Sequence, residues 1–213
     1  MATLTPKTTM ETTSKLFLTF LFCFALFLVS GCGGGVSLTP AEQAEVDKYV
    51  AGYGRGAIVH YLRDSSRDAN TDQNLVLKYI KYFVSQGADV KAKDDYGTTP
   101  LHIAAGEKNS ELVKFLVSKG ADVHAKNNDG ITPLHFAENL DVARLFVSKG
   151  ADVNAKDDKY GATPLHIAVA AGNIEIIEFL VSKGADINAK DKDGETPRDR
   201  ALLSGNNDIR PFL

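Results

Sequence analysis

Residues 94–126 read DDYGTTPLHIAAGEKNSELVKFLVSKGADVHAK, and parts of that string return further along the chain. GITPLHF starts at Gly130 and GADVNAK at Gly150; GATPLHI starts at Gly161 and GADINAK at Gly184. The glycines opening the TPL segment stand at 97, 130, 161 and 194, in steps of 33, 31 and 33 residues. Those opening the GAD segment stand at 87, 120, 150 and 184. Self-similarity at such a period sets the architecture before any local reading, because each unit must bury its apolar face against the next.

The unit itself has a physical logic. Thr99 is placed to cap a first helix, and Pro100 suits a first turn that needs no amide donor. Leu101, Ile103 and Ala104 face neighbouring helices, and the small Ala104 and Ala105 permit close approach. After a turn at 106–109, Leu112, Val113, Leu116 and Val117 make the buried stripe of a second helix. Lys119 suits its C-terminus and Gly120 the left-handed residue beyond it. A loop with its tip at Asn128, Asp129 and Gly130 then leads to the next unit.

A unit of about 33 residues carrying T-P-L-H-x-A resembles the ankyrin repeat. The resemblance implies an all-α solenoid of about five helix-turn-helix units joined by β-hairpin-like loops. It also implies protein binding through the loop tips and the first-helix faces of the concave side. The positions concerned are Asp95, Tyr96, Thr98, Glu107, Asp129, Ile131, Lys159, Tyr160, Lys192 and Asp193, flanked by Gly106, Glu138, Ala162, Ala171 and Glu195. Tyr96 and Tyr160 are the expected anchors, since tyrosines at rigid tips are frequent hot spots.

Along the chain the expected organisation is a signal segment at 1–31, a modified cysteine and tether at 32–40, and a degenerate first unit at 41–93. Repeats follow at 94–126, 127–156 and 157–190, with a terminal capping unit at 191–213. In the first unit, glycines at 52, 54 and 56 leave one helix or two short ones open over 41–63. The repeat at 127–156 is short: Thr132 to Gly150 spans 18 residues where Thr99 to Gly120 spans 21, so three residues are missing between Ala137 and Val142. The sequence places that loss in an exposed turn, which leaves the apolar register intact. In the last unit Arg198, Asp199 and Arg200 replace Leu-His-Ile, as suits a helix with no successor, while Ala201, Leu202, Ile209, Phe212 and Leu213 cover the preceding repeat.

The first 31 residues read as an address. A basic start with Lys7 and Lys15 leads into an apolar run at 16–29, too short for a bilayer that takes roughly 20 residues. Val29-Ser30-Gly31-Cys32 resembles the lipobox of bacterial lipoproteins, which implies cleavage before Cys32, acylation of that cysteine and attachment to an envelope membrane. Gly33 in place of an aspartate implies the outer membrane. Both cysteines, Cys23 and Cys32, precede the repeats, so packing and not a disulfide must hold the array.

Charge and motifs narrow the function. With 24 basic and 27 acidic residues and a net charge of -3, a nucleic-acid partner is not expected. His102, His135 and His166 occupy one position of successive units, and packed helices stand about 8–10 Å apart, too far to share one zinc. The resemblance gives them instead a structural place between adjacent loops. No metal, cofactor or enzyme is expected, since no nucleophile, phosphate-loop or paired-cysteine motif is present. The expectation is a monomeric, lipid-anchored, protein-binding module of the envelope that shields or restrains a periplasmic enzyme or toxin. A surface-displayed or host-directed adaptor is the alternative.

Overall fold

A computed structural model describes residues 36–66, 72–107 and 109–203. The compact unit comprises Leu38–Leu213, and every residue of its described core lies within it, from Val46 to Ala201. The helices are α1 (Pro40–Tyr53), α2 (Ala57–Ser65), α3 (Gln73–Ser85), α4 (Pro100–Gly106), α5 (Ser110–Ser118), α6 (Leu140–Ser148), α7 (Pro164–Ala170), α8 (Ile174–Ser182) and α9 (Pro197–Leu203). Short 3-10 turns occupy Gly54–Gly56 and Pro133–Phe136. Among the described residues no strand is present, so the fold is an all-α repeat solenoid.

Each unit pairs a first helix with a second. The first helices α2 and α4, the turn Pro133–Phe136, then α7 and α9 pack in succession, and α5, α6 and α8 succeed one another in a second layer. Leu101, Leu112, Leu116, Phe146, Leu165, Ile177 and Leu180 are fully buried between the layers. At 25–30 cal/mol per Å² of apolar surface, burying each such side chain contributes about 1.5–3 kcal/mol.

Every second helix closes alike. The Gly120 amide donates to the Val117 carbonyl and the Ala121 amide to that of Leu116, both at 3.0 Å, with Gly120 at φ 88°. This Schellman arrangement satisfies two orphan carbonyls and needs a residue that tolerates positive φ. It recurs at Gly87, Gly150 and Gly184. The starts are equally regular, with Asn109, Asn139 and Asn173 accepting backbone amides as N-caps.

The first helices are held by a latch that spans two units. The Thr99 amide donates to His102 Nδ1 at 3.2 Å, and the Thr99 hydroxyl meets the same nitrogen at 2.8 Å. Nδ1 therefore accepts, so the proton sits on Nε2, which donates to the Ile131 carbonyl of the next loop at 3.0 Å. His135 reaches the Ala162 carbonyl at 3.2 Å and His166 the Glu195 carbonyl at 3.2 Å in the same manner. With both ring nitrogens engaged, these histidines have no position left for a metal. Burial holds the His102 pKa down to about 4 and lowers those of His135 and His166, keeping all three neutral.

Two details depart from the sequence reading. The missing residues of the unit at 127–156 come out of the first helix itself: where α4 runs seven residues, only the four-residue turn Pro133–Phe136 remains. Asn139 then starts α6 directly, so the loss is absorbed by a helical turn as well as by the loop. The connecting loops keep the expected hairpin-like closure, each with a backbone bond across it, but no described residue of them is in a strand, and neighbouring loops are cross-linked to one another. At the N-terminal end the glycines do divide the helix. Thr39 and Glu42 form a reciprocal capping box at the start of α1, and Gly54, at φ 51°, ends it. α1 packs on α2 and α3 and covers their open side.

Candidate protein-binding surface

The loop tips are built on one carboxylate or amide per unit. Asp94 Oδ1 accepts the amides of Tyr96 and Thr98, both at 2.9 Å, and Asn127 Oδ1 accepts those of Asp129 at 3.0 Å and Ile131 at 2.9 Å. Asp157 holds the amides of Lys159 and Ala162, and Asp191 those of Asp193 and Glu195. These short polar side chains reinforce the backbone bond that closes each loop, such as that from the Asp94 amide to the Thr98 carbonyl at 3.1 Å and from the Asn127 amide to the Ile131 carbonyl at 3.0 Å. The two end units add a cation: Arg63 pairs with Asp94, and Arg200 with Asp191 at 2.6 Å. Arg200 also reaches Glu195 at 3.3 Å. A sequence change that looks like simple polar capping thus closes the last loop.

Neighbouring tips are tied head to tail. The Asn128 amide donates to the Tyr96 carbonyl at 2.9 Å, that of Asp158 to Asp129 at 2.7 Å, and that of Lys192 to Tyr160 at 2.8 Å. The approach is close enough to require glycine. A Cβ on Gly130, at φ 74°, would lie 2.6 Å from the Asp158 nitrogen, and one on Gly97, at φ 70°, 2.9 Å from the Asn128 nitrogen.

On this frame Asp95, Tyr96, Asp129, Lys159, Tyr160, Lys192 and Asp193 are exposed, with Thr98 and Ile131 half-buried. Tyr96 keeps 67% of its surface and Tyr160 52%. Arg63 lies 4.9 Å from the centre of the Tyr96 ring and Lys159 5.0 Å from that of Tyr160, so each ring is braced by a cation. Lys192 donates to the Asp158 carbonyl, which commits its ammonium to the scaffold. Gly106 is half-buried, Glu138 and Ala171 are exposed, and Glu195 is half-buried.

Two expected contact positions turn inward. Ala162 is only 2% exposed, and its carbonyl receives His135 while its amide is held by Asp157. Glu107 is half-buried, and both its carboxylate oxygens are buried without a hydrogen-bond partner among the described residues. It acts electrostatically on Tyr61, and burial raises its own pKa. Conversely, Phe136 and Ile167 are 38% and 41% exposed, although sequence reasoning assigns their position to helix packing. Each stands directly after the latch histidine. That placement on a short first helix was the available signal.

The leader at 1–31, Cys32 and the terminal Ile209, Phe212 and Leu213 lie outside the described residues. Among the described residues no helix is long and apolar enough to cross a membrane, and no group of three His, Cys, Asp or Glu could hold a metal ion. Comparison with curated proteins gives no match. The family model for ankyrin repeats (3 copies) matches residues 69–157, 126–191 and 155–213, which together take in the latch histidines, the loop tips and the closing glycines. The chain therefore belongs to the ankyrin-repeat family, whose arrays are protein-binding modules.

Proposed function

We propose that the chain is a lipid-anchored protein-binding module of a bacterial envelope, fixed through Cys32 and presenting its loop tips to a protein partner in that compartment. The partner class that suits this placement is a periplasmic enzyme or toxin that the array shields or restrains. One observation carries the reading: Tyr96 and Tyr160 stand largely exposed on loops already fixed by side-chain and loop-to-loop hydrogen bonds. Binding to such loops orders few further residues, which lowers the entropic cost of association. The apolar leader ending at Val29-Ser30-Gly31-Cys32 supports the anchor.

The test is recovery of the partner from envelope extract on the wild-type protein and on Tyr96→Ala/Tyr160→Ala. A specific protein retained by the first and lost from the second is expected, while equal recovery on both would sink the tip reading. Incorporation of labelled palmitate that disappears in Cys32→Ser checks the anchor separately.

A further inference from the structure

The second-helix layer carries a feature that binding at the tips does not use. Lys81, Lys114 and Arg144 stand six residues before the closing glycines at 87, 120 and 150, so they occupy one position of α3, α5 and α6. Lys119, Lys149 and Lys183 stand one residue before the glycines at 120, 150 and 184, at the C-caps of α5, α6 and α8. All six are exposed, and half-buried Phe115, Leu145 and Phe179 lie on the same helices. Lys81 and Lys119 Nζ lie 5.8 and 5.7 Å from the centre of Phe115, and Lys183 Nζ lies 5.8 Å from that of Phe179. The result is a double row of cations over an apolar floor.

Between α6 and α8 that floor opens as a groove lined by Arg144, Val147, Ser148, Phe179, Ser182 and Lys183. The Ser148 and Ser182 hydroxyls already donate to the Leu145 and Phe179 carbonyls at 2.7 and 2.6 Å, which leaves Arg144 and Lys183 as the donors for an anion. Glu111, Asp141 and Glu175 sit in the first turns of these helices, where they favour the helix dipole, and Glu111 reaches a cation of the stripe. Among the described residues the ion pair made by these six cations is that of Lys114 with Glu111 at 2.8 Å. Glu178 takes the position of a fourth cation on α8, so the stripe ends on Lys183.

The start of the array lies beside the stripe. Glu42 in the first turn of α1 pairs with Lys78 of α3 at 2.8 Å, and Gln43 donates to the Tyr82 hydroxyl at 2.7 Å. Cys32 precedes Leu38 by six residues, a reach of about 20 Å when fully extended. A chain anchored at Cys32 therefore has the start of α1 tethered within about that reach of the anchor.

We propose that the second-helix face docks on an anionic phospholipid surface, laying the array along its membrane and leaving the first-helix face free for a partner. This deepens the lipid-anchor reading and rests on it. Cations near an anionic bilayer act additively and are weakened by salt.

The test uses the chain from residue 32 onward with Cys32→Ser, which keeps the whole Leu38–Leu213 unit and its core. Flotation with phosphatidylcholine vesicles, with and without phosphatidylglycerol, should show binding to the anionic vesicles alone and its loss at high salt. Arg144→Glu/Lys149→Glu/Lys183→Glu should weaken that binding at least about a hundredfold, at roughly fivefold for each cation removed. Lys48→Glu/Arg55→Glu/Arg198→Glu, the same charge change elsewhere, should weaken it far less, with circular dichroism confirming both folds. Equal losses in the two triple variants, or no preference for anionic vesicles, would overturn the docking face. Palmitate incorporation into the full chain is read in parallel. Vesicle binding without acylation removes the anchor and keeps the face, whereas acylation without vesicle binding does the reverse.

Discussion

The repeat at 94–126 and its shortened neighbour at 127–156 share a latch, a capped second helix and a closing glycine, yet only the former has a complete first helix. Thr99–His102 and Thr132–His135 close at 2.8 and 2.9 Å, and their Nε2 atoms reach the next loop at 3.0 and 3.2 Å. Leu116 and Phe146, at equivalent places on α5 and α6, are both fully buried. What differs is the last turn of the first helix, replaced at Ala137 by extended backbone at ψ 105°. Cohesion therefore resides in the latch and the second helix, and the end of the first helix is expendable. Phe136 is 38% exposed, and the equivalent Ile167 on the complete α7 is 41% exposed, so the missing turn is not what exposes this position.

The strongest way to break this comparison is to attack the shared part. Phe146→Ala should cost about 3–5 kcal/mol and Leu116→Ala about 2–5 kcal/mol, each leaving a cavity between layers that cannot collapse around it. Urea denaturation measures both. If Phe146→Ala cost less than about 1 kcal/mol, α6 would not be what holds the shortened unit in the stack.

Acid probes the latch in both units at once. Folding lowers the His102 pKa from 6.5 to about 4, so the unfolded chain binds the proton more readily. The stabilisation is complete above the unfolded value near 6.5 and is lost as pH falls through that value towards 4. A difference of this size corresponds to roughly 3 kcal/mol, with His135 and His166 adding losses of the same sign. Unfolding midpoints between pH 7 and 4 should fall steeply in the wild type and less steeply in His102→Asn. Parallel slopes would show that the buried imidazole is not the group responsible.

The loops offer a finer contrast. Gly120 and Gly130 both have positive φ, but a Cβ on Gly120 meets nothing within 4 Å while one on Gly130 strikes the backbone of the next loop. Gly120→Ala should therefore cost about 1 kcal/mol of backbone strain, and Gly130→Ala about 2–3 kcal/mol because the tie from Asp158 must also shift. Equal costs in thermal melting would mean that contact between tips contributes nothing.

These features were legible to different degrees for physical reasons. The closing glycines, the Thr-Pro starts and the latch histidines follow from residues that every internal unit repeats, so one unit explains the others. The inward turn of Glu107 was not legible, because it depends on burial that the repeat pattern does not encode. Ala162 looked like a tip residue by alignment with Ile131 and Thr98. Its amide is held by Asp157 as theirs are by Asn127 and Asp94, so the backbone contacts do not set it apart and its burial has no counterpart in the repeat pattern. The three-residue loss was visible as a count, but a count does not tell whether loop or helix absorbs it. The exposed tyrosines were legible as tip residues, while the cations bracing them became visible only once Arg63 and Lys159 were placed.

The smallest expected effect bears most directly on the comparison. Inserting Ala-Gly-Glu after Ala137 gives the shortened unit the residues that complete α4, and so allows Pro133–Phe136 to continue as an α-helix. The added turn gains backbone hydrogen bonds, but it must order three more residues, which offsets most of that gain. A net stabilisation of about 0.5–1 kcal/mol is expected, raising the melting temperature by about 1–4 °C for a domain of this size. Because Asn139 caps α6 as Asn109 and Asn173 cap α5 and α8, the cap should survive once a regular turn precedes it. A loss exceeding about 1 kcal/mol would mean that the short turn is needed for α4 and α7 to pack on either side of it, so that the end of the first helix is not expendable there but was removed to fit.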